Sequence, residues 1–255
     1  MTPSKEIVWV TGGGTGIGQA VALLFARKGY RVAISGRRSE ALQETLQIDP
    51  TLKDQLLAIP IDVSNPDDVD KALERICNQW GQVTILINNA GVLIHRSFRD
   101  STLEDFQKSF NINCLSSIII LKKILPEWIK ARHGTVVNIS SILGKWASPG
   151  SPSYAASKFA LTGFTESLRQ ELYASGIHVM GVYPGYIHTP MTDPYSSEFK
   201  KRYFGASPDS MAKAIYLGIL HKKRDLYYPF YVSWMIKLSQ LFPVPMEALR
   251  RWTGL

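Results

Sequence analysis

Residues 7–20 read "IVWVTGGGTGIGQA". The first five residues are β-branched, aromatic and uncharged, the composition of a strand buried on both faces. "IGQAVALLFARKG" (residues 17–29) has helical apolar spacing and reaches Gly29, a C-terminal cap residue. Between strand and helix lies a glycine turn, Thr11-Gly12-Gly13-Gly14-Thr15-Gly16-Ile17-Gly18. Such a turn lets backbone approach a pyrophosphate, and the helix N-terminus supplies amide donors and positive dipole. The spacing is Gly12-x-x-x-Gly16-x-Gly18, not G-x-G-x-x-G. Alone it also reads as a tight turn; its place between strand and helix favours a dinucleotide.

The pattern repeats outward. Strands are read at "YRVAISG", "LLAIPIDV", "VTILINNAG", "GTVVNISS" and "IHVMGVYPG". Helices alternate with them: "SEALQETLQ" with Ser39 as cap, "NPDDVDKALERICNQWG" with Asn65 as cap and Pro66 at its first position, one around Leu103 to Leu125, and one from "SPSYAASKFA" to about Tyr173. This alternation predicts an α/β fold, a Rossmann-type doubly wound parallel sheet. With no repeat or linker, residues 1–255 are read as a single domain. Its core is 1–195, its substrate loop 186–207 and its C-terminal extension 225–255.

Composition sets limits. Of 255 residues 45% are hydrophobic and 20% charged, as in a soluble globular chain. The chain reaches its first strand within a few residues of Met1 and has no long uncharged apolar run. Neither a secretory leader nor a membrane-spanning helix is expected, and the expected location is cytoplasmic. Cys77 and Cys114 are read as small buried hydrophobes, with no metal spacing around them. The net charge of +8 is uneven: residues 196–255 carry ten Lys/Arg against four Asp/Glu. That bias suits an anionic surface; with no separate basic face or reader motif, nucleic acid is not expected.

The end of the second strand selects the cofactor. A carboxylate there would hold the ribose hydroxyls of NAD. The chain has Ser35-Gly36-Arg37-Arg38 instead, and two guanidiniums suit a 2′-phosphate through charge-assisted hydrogen bonds. NADP(H) is therefore expected over NAD(H), with Arg37 the main contact and Arg38 beside it. Asp62, with Val63 at the end of the third strand, reads either as a contact to the adenine amino group or as a helix cap.

Tyr154 and Lys158 stand one helical turn apart, and Ser141 precedes them by 13 residues. A phenol titrates near 10, too high for an efficient base at neutral pH. A nearby ammonium should lower that value. A serine hydroxyl can donate to an oxygen on which negative charge develops. Together these groups suit hydride transfer between a carbonyl and an alcohol.

"TGGGTGIG", "NNAG" (88–91), Ser141, "YAASK" and "PGYIHTP" (184–190) stand in one order. In that order the chain resembles the short-chain dehydrogenase/reductase family over residues 5–195. The resemblance implies that Gly12, Gly14, Thr15, Gly16, Ile17 and Gly18 cradle the cofactor and that Asn89, Ala90 and Gly91 line its adenosine ribose. It implies that Asn113, in "FNINC", kinks its helix and holds a water in a relay with Lys158. Lys158 would also bind the nicotinamide ribose, with Pro184, Gly185, Ile187 and Thr189 beside the nicotinamide amide. Ser141 and Tyr154 would meet the substrate, and a homodimer or homotetramer is implied. His95 and His188 are read as loop or packing residues.

The last part departs from relatives that reduce acyl-carrier substrates, which end in a strand with a glycine pair absent here. "RDLYYPF" reads as a seventh strand. Trp234, Leu238 and Leu241 then make one side of a short amphipathic helix, Ser233, Lys237 and Gln240 the other, stopped by Pro243. Basic pairs, Lys222-Lys223 and Arg250-Arg251, flank it. The helix packs on its own domain or on a partner, or meets an anionic membrane surface peripherally; the tail resembles that of hydroxysteroid-dehydrogenase-like members. The expected activity is that of an NADP-dependent oxidoreductase acting on CH–OH groups of a lipophilic substrate (a steroid, retinoid or long-chain ketone). The alternatives are a 3-oxoacyl-thioester reductase of fatty-acid type and a non-catalytic NADP(H)-sensing interaction protein.

Overall fold

The structure is a computed structural model and describes residues 6–196 and 198–253. Seven parallel strands stand in the order β3-β2-β1-β4-β5-β6-β7. They are β1 (Ile7–Thr11), β2 (Arg31–Gly36), β3 (Leu56–Pro60), β4 (Ile85–Asn88), β5 (Gly134–Ile139), β6 (Ile177–Pro184) and β7 (Asp225–Tyr228). Helices α1 (Gly16–Arg27), α2 (Ser39–Gln47) and α3 (Pro66–Trp80) connect the first four strands. Then come α4 (Leu103–Phe110), α5 (Ser116–Ala131), α6 (Pro152–Glu171), α7 (Glu198–Phe204), α8 (Pro208–Leu220), α9 (Tyr231–Leu241) and α10 (Pro243–Thr253).

The strands read as continuous apolar runs because both faces of the sheet are covered. Along β1 the side chains alternate between two cores. Val8 and Val10 join Phe25, Met211 and Ile215 on the face of α1 and α8. Ile7 and Trp9 join Ile76, Ile120 and Trp128 on the face of α3 and α5. Trp9 is fully buried and its indole N–H donates to the Ser35 hydroxyl at 3.0 Å. Strand order reverses between β1 and β4, which opens a crevice at the carboxyl ends of the strands.

Several local expectations change. Arg38, not Ser39, occupies the cap position of α2, and Ser39 is its first helical residue. Asn65 does cap α3, accepting from the Asp67 amide at 3.0 Å. Asp62 instead accepts from the amide and hydroxyl of Ser64 at 2.9 and 2.7 Å, so it closes its own turn and does not cap α3. Cys114 is buried but Cys77 is exposed, because it falls on the solvent side of α3.

The helix read around 103–125 breaks where the resemblance implies that Asn113 kinks it: two helices are joined by a wide turn, Asn111–Leu115, of the i→i+5 type. Asn113 explains the widening. Its Oδ1 accepts from the Val92 amide at 2.8 Å and its Nδ2 donates to the Val92 carbonyl at 3.0 Å. This pair of bonds draws the turn toward the chain leaving β4.

The C-terminal helix also differs. Pro243 does not end the helical region; it begins α10, where the lack of an N–H costs nothing. On α9 the side that docks is Val232, Ile236 and Ser239. The face expected to be its apolar side, Trp234, Leu238 and Leu241, points outward with 63%, 42% and 71% of each residue exposed. Apolar residues occupy two sides of α9, and the branched Val232 and Ile236 are the pair that fits the domain. The Arg250 and Arg251 side chains, Ser197, residues 1–5 and residues 254–255 lie outside the described part.

Candidate active site

The crevice holds one long cleft of about 1120 Å³, larger than the roughly 300–1,000 Å³ of sites for one small ligand. Its first end is made of backbone. The amides of Gly12 and Gly13 donate to the Ser35 carbonyl at 2.7 and 3.1 Å, tying the glycine turn to β2. Asn89 Nδ2 donates to the carbonyls of Thr11 and Gly12, and Thr11 Oγ1 accepts from the amides of Asn89 and Ala90. Gly12 and Gly16 have φ of +67° and +58°, a left-handed conformation that favours glycine.

The remaining glycines are there for space. A Cβ on Gly13 would lie 2.6 Å from Ile34 Cβ, and one on Gly18 would lie 2.2 Å from the Gly12 carbonyl oxygen. Thr15, the cap of α1, makes no side-chain capping bond, and the first turn carries no acidic residue. The free amides and positive helix end therefore fit a pyrophosphate.

Arg37, Arg38, Asp62 and Val63 line the same end, and both arginines are exposed. Burial would raise the Asp62 carboxyl, but the two Ser64 hydrogen bonds and the Arg37 charge together hold it below the usual range. The wall therefore combines two guanidiniums with one ionised carboxylate, a donor set that fits a phosphorylated adenosine. Gly14, Ala90, Gly91, Ile17, Pro184, Gly185, Ile187 and Thr189 continue the wall, whereas Gly18 lies inside the α1–turn contact and lines nothing.

At mid-cleft three segments meet. Ser141 follows β5 in extended conformation, is 8% exposed, and its Oγ accepts from the Leu143 amide at 3.1 Å. Tyr154 and Lys158 project from the first turns of α6, begun at Pro152. The Lys158 ammonium, 4% exposed, donates to the Ile139 carbonyl at 2.8 Å and lies 5.8 Å from the centre of the Tyr154 ring. Asn113 does not line the cleft but sits behind it: its Nδ2 donates to Ser157 Oγ at 2.9 Å. A Cβ on Gly91 would lie 3.1 Å from Asn113 Oδ1 and 3.7 Å from Lys158 Nζ, so Gly91, Asn113 and Lys158 form one group.

The titration behaviour departs from the expectation of a lowered phenol. Burial pushes Tyr154 up to about 12, opposed by its hydrogen bond with Ser141. Burial also pushes Lys158 down to about 8, opposed by Cys114. Desolvation penalises each charged form and here outweighs the neighbouring groups. In the chain alone, Tyr154 is a protonated acid at neutral pH.

The far end is made of side chains from distant segments. Leu93, Leu143 and Pro149 face Met191, Tyr195 and Phe204, with Tyr231 and Met235 of α9 closing the side. The loop 186–207 is pinned at its base: His188 N donates to the Ala206 carbonyl at 2.9 Å, and Ala206 N donates to that of Tyr186 at 3.2 Å. The Tyr231 hydroxyl donates to the Phe204 carbonyl at 2.6 Å. Sequence reading did not find Tyr231 or Met235, whose spacing on α9 carries no motif. His95, read as a loop or packing residue, stands in the loop after β4 against Tyr195 and also lines this end. His188 keeps to the loop, its ring 5.1 Å from that of Tyr186.

Relatives are consistent with this geometry. Residues 6–200 match the family model described as short chain dehydrogenase. A dehydrogenase/reductase SDR family protein 7-like of Drosophila melanogaster is 31% identical over 235 residues, covering 87% of this chain and 72% of that one. The 3-oxoacyl-(acyl-carrier-protein) reductase FabG of Thermotoga maritima is 32% identical over 193 residues, 74% of this chain and 76% of that one. Among solved structures, the closed form of a serine dehydrogenase complexed with NADP+ superposes with a TM-score of 0.79 at 26% identity, over 87% of this chain and 93% of that one. With the family model spanning most of its length and the site built on the same turn, strand ends and helix, the chain belongs to the short-chain dehydrogenase/reductase family of oxidoreductases.

Proposed function

We propose that the chain is an NADP(H)-dependent oxidoreductase that interconverts a carbonyl and a secondary alcohol on a lipophilic substrate. The observation that carries the reading is the meeting of Ser141, Tyr154 and Lys158 midway between a phosphate-friendly end and an apolar end. When bound, NADP(H) supplies or accepts the hydride. Tyr154, protonated at neutral pH, gives its hydroxyl proton to the carbonyl oxygen during reduction and takes it back during oxidation. Ser141 donates a hydrogen bond to the same oxygen as charge grows there. Lys158 binds the nicotinamide ribose and stabilises Tyr154 as its proton leaves. Asn113 holds the turn that keeps Gly91 clear of Lys158 and supports a water in the relay.

Arg37 and Arg38 favour the 2′-phosphate of NADP(H) because β2 ends without a carboxylate. Gly12, Gly14, Thr15, Gly16 and Ile17 take the pyrophosphate, with Asp62 and Val63 beside the adenine. Asn89 to Gly91 line the adenosine ribose, and Pro184, Gly185, Ile187 and Thr189 the nicotinamide amide. Segment 186–207 and α9 wall the substrate, consistent with a division into core, substrate loop and C-terminal extension.

The charges of the cleft among the described residues are Arg37, Arg38, Asp62 and Lys158, so its far end offers none to a charged substrate. The similarity to a 3-oxoacyl-(acyl-carrier-protein) reductase supports a second reading, a 3-oxoacyl-thioester substrate. A panel of ketones and acyl thioesters followed by NADPH absorbance tests both. Turnover of apolar ketones is expected; turnover of thioesters alone would replace the first reading by the second. No turnover of either would leave the NADP(H)-sensing alternative.

No helix among the described residues is long and apolar enough to cross a membrane. The exposed side of α9, with Lys237 over the Trp234 ring at 5.5 Å, is proposed as the surface for an anionic membrane or a second copy of the chain. Vesicle co-sedimentation at low salt and sedimentation velocity separate these two.

A further inference from the structure

We propose that His95 determines specificity by hydrogen-bonding a second oxygen of the substrate, away from the reacting carbonyl; this rests on the carbonyl-reductase reading above. His95 follows β4 and lies on the apolar end of the cleft. Its Nδ1 is 3.1 Å from the hydroxyl of Ser151, 56 residues away in sequence. Its ring lies against that of Tyr195, with centroids 5.0 Å apart and planes 36° from each other. Gly150, at φ +85°, leaves room for it: a Cβ there would lie 2.9 Å from His95 Cε1.

Ser151 shows that the arrangement is built. It occupies the cap position of α6 and is buried, yet its side chain makes no capping bond. A serine there ordinarily accepts from an amide of the first turn. Here the hydroxyl is turned to the imidazole instead. The ring is thereby oriented on two sides, and its Nε2 has no protein partner among the described residues. The Ser151 hydroxyl can donate to Nδ1 or accept from it, so Nε2 can present either a proton or a lone pair.

The surroundings define what Nε2 meets. Leu93, Leu143, Met191 and Met235 line this end, and no charged side chain joins them among the described residues. Of the nearby hydroxyls, Thr192 donates to the Ile187 carbonyl and Ser196 to that of Thr192. Ser148 also faces the cleft, but no bond within the described protein orients it. The Thr192, Ser196 and Tyr231 hydroxyls spend their protons on carbonyls, whereas His95 is oriented and keeps one ring nitrogen for a ligand in an uncharged wall. Ser151 and Tyr154 lie about one helical turn, ~5 Å, apart along α6, so one molecule can meet both Tyr154 and the ring that Ser151 orients. The fitting substrate is neutral and carries a hydroxyl or carbonyl several ångströms from the carbonyl that is reduced.

The test uses the full chain with NADPH, a series of aliphatic methyl ketones of increasing length, and the same ketones bearing a terminal hydroxyl. The readout is the ratio of KM values within each pair. For the wild type, the hydroxylated member is expected to have a KM roughly 3- to 10-fold lower at the chain lengths that reach His95. His95→Phe keeps a ring against Tyr195 but removes both nitrogens, and should bring that ratio to about one. His95→Gln, whose amide can both donate and accept, should restore part of the preference. A wild-type ratio of one at every length, or a preference that survives in His95→Phe, would overturn the proposal while leaving the reductase reading intact. Absence of NADPH oxidation with every ketone would overturn both.

Discussion

At the cofactor end of the cleft much of the wall is backbone, with the side chains of Arg37, Arg38 and Asp62 beside it. Gly12, Gly13, Gly16 and Gly18 exist to remove side chains: a Cβ would meet backbone and the Asn89 amide at Gly12 and Gly18, the Ile34 side chain at Gly13 and that of Thr189 at Gly16. At the substrate end the walls are side chains, brought together from the chain after β4, the chain before α6, segment 186–207 and α9. The glycine turn of the first end accepts almost no substitution and suits groups common to all dinucleotides, while Arg37 and Arg38 beside it are exposed and free to vary. The second can change one side chain at a time without disturbing the sheet, so it is where one oxidoreductase comes to differ from another. Ser141, Tyr154 and Lys158 stand at the junction and should respond to neither end alone.

The largest effect is expected at that junction. Tyr154→Phe removes one hydroxyl, and turnover should fall about 10²- to 10⁴-fold, the usual worth of a positioned acid–base group. NADPH affinity, measured by fluorescence titration, should stay close to wild type. Near-normal turnover would dissolve the distinction between junction and ends.

Next comes the cofactor end. Arg37→Ala should raise the KM for NADPH roughly 10- to 100-fold, the loss of a charge-assisted hydrogen bond. Its KM for NADH and its preference among ketones should hardly move. A matching loss with NADH would mean that Arg37 supports the turn and does not read the 2′-phosphate.

Lys158 offers a test by pH. Its native value of about 8 lies below the 10.5 of the free side chain. Between these values the unfolded chain binds more protons, so folding stability should rise as pH rises through that window. Lys158→Met should abolish the rise and stabilise the fold at pH 7 by about 1–2 kcal/mol, after the lost bond to the Ile139 carbonyl is deducted. Urea titrations across the range check this; an unchanged pH slope would show that another group carries it. Tyr154, raised from 10.0 to about 12, has the opposite sign, adding stability that is lost only above pH 10.

The smallest effect belongs to the substrate end. Met235→Ala trims one side of the wall, and should shift the preference between bulky and slim ketones by a few-fold while leaving NADPH constants alone. A change in NADPH binding instead would mean that α9 supports the cofactor end as well.

The same contrast explains what could be read in advance. The glycine turn is contiguous, so its strand, turn and helix announce it within fourteen residues. Ser141, Tyr154 and Lys158 are close enough in sequence for one helical turn and one strand end to place them. The break at Asn111–Leu115 was invisible to periodicity because its cause, the paired bonds from Asn113 to Val92, crosses 21 residues. Whether the Trp234, Leu238 and Leu241 side packs inward or faces outward was left open because α9 has apolar residues on two sides, and only docking chooses between them.

Sequence alone determined the parallel sheet, the glycine turn after β1, the arginines at the end of β2 and the placing of Ser141, Tyr154 and Lys158 on a strand end and one helical turn. Each depends on neighbours within a few residues or on strict alternation of strand and helix. Tertiary structure alone decided which side of α9 packs, that burial raises the Tyr154 phenol and lowers the Lys158 ammonium, and that His95 lines the cleft with its ring bonded to Ser151. Those outcomes depend on desolvation and on contacts between segments far apart in the chain, and neither is written in local spacing.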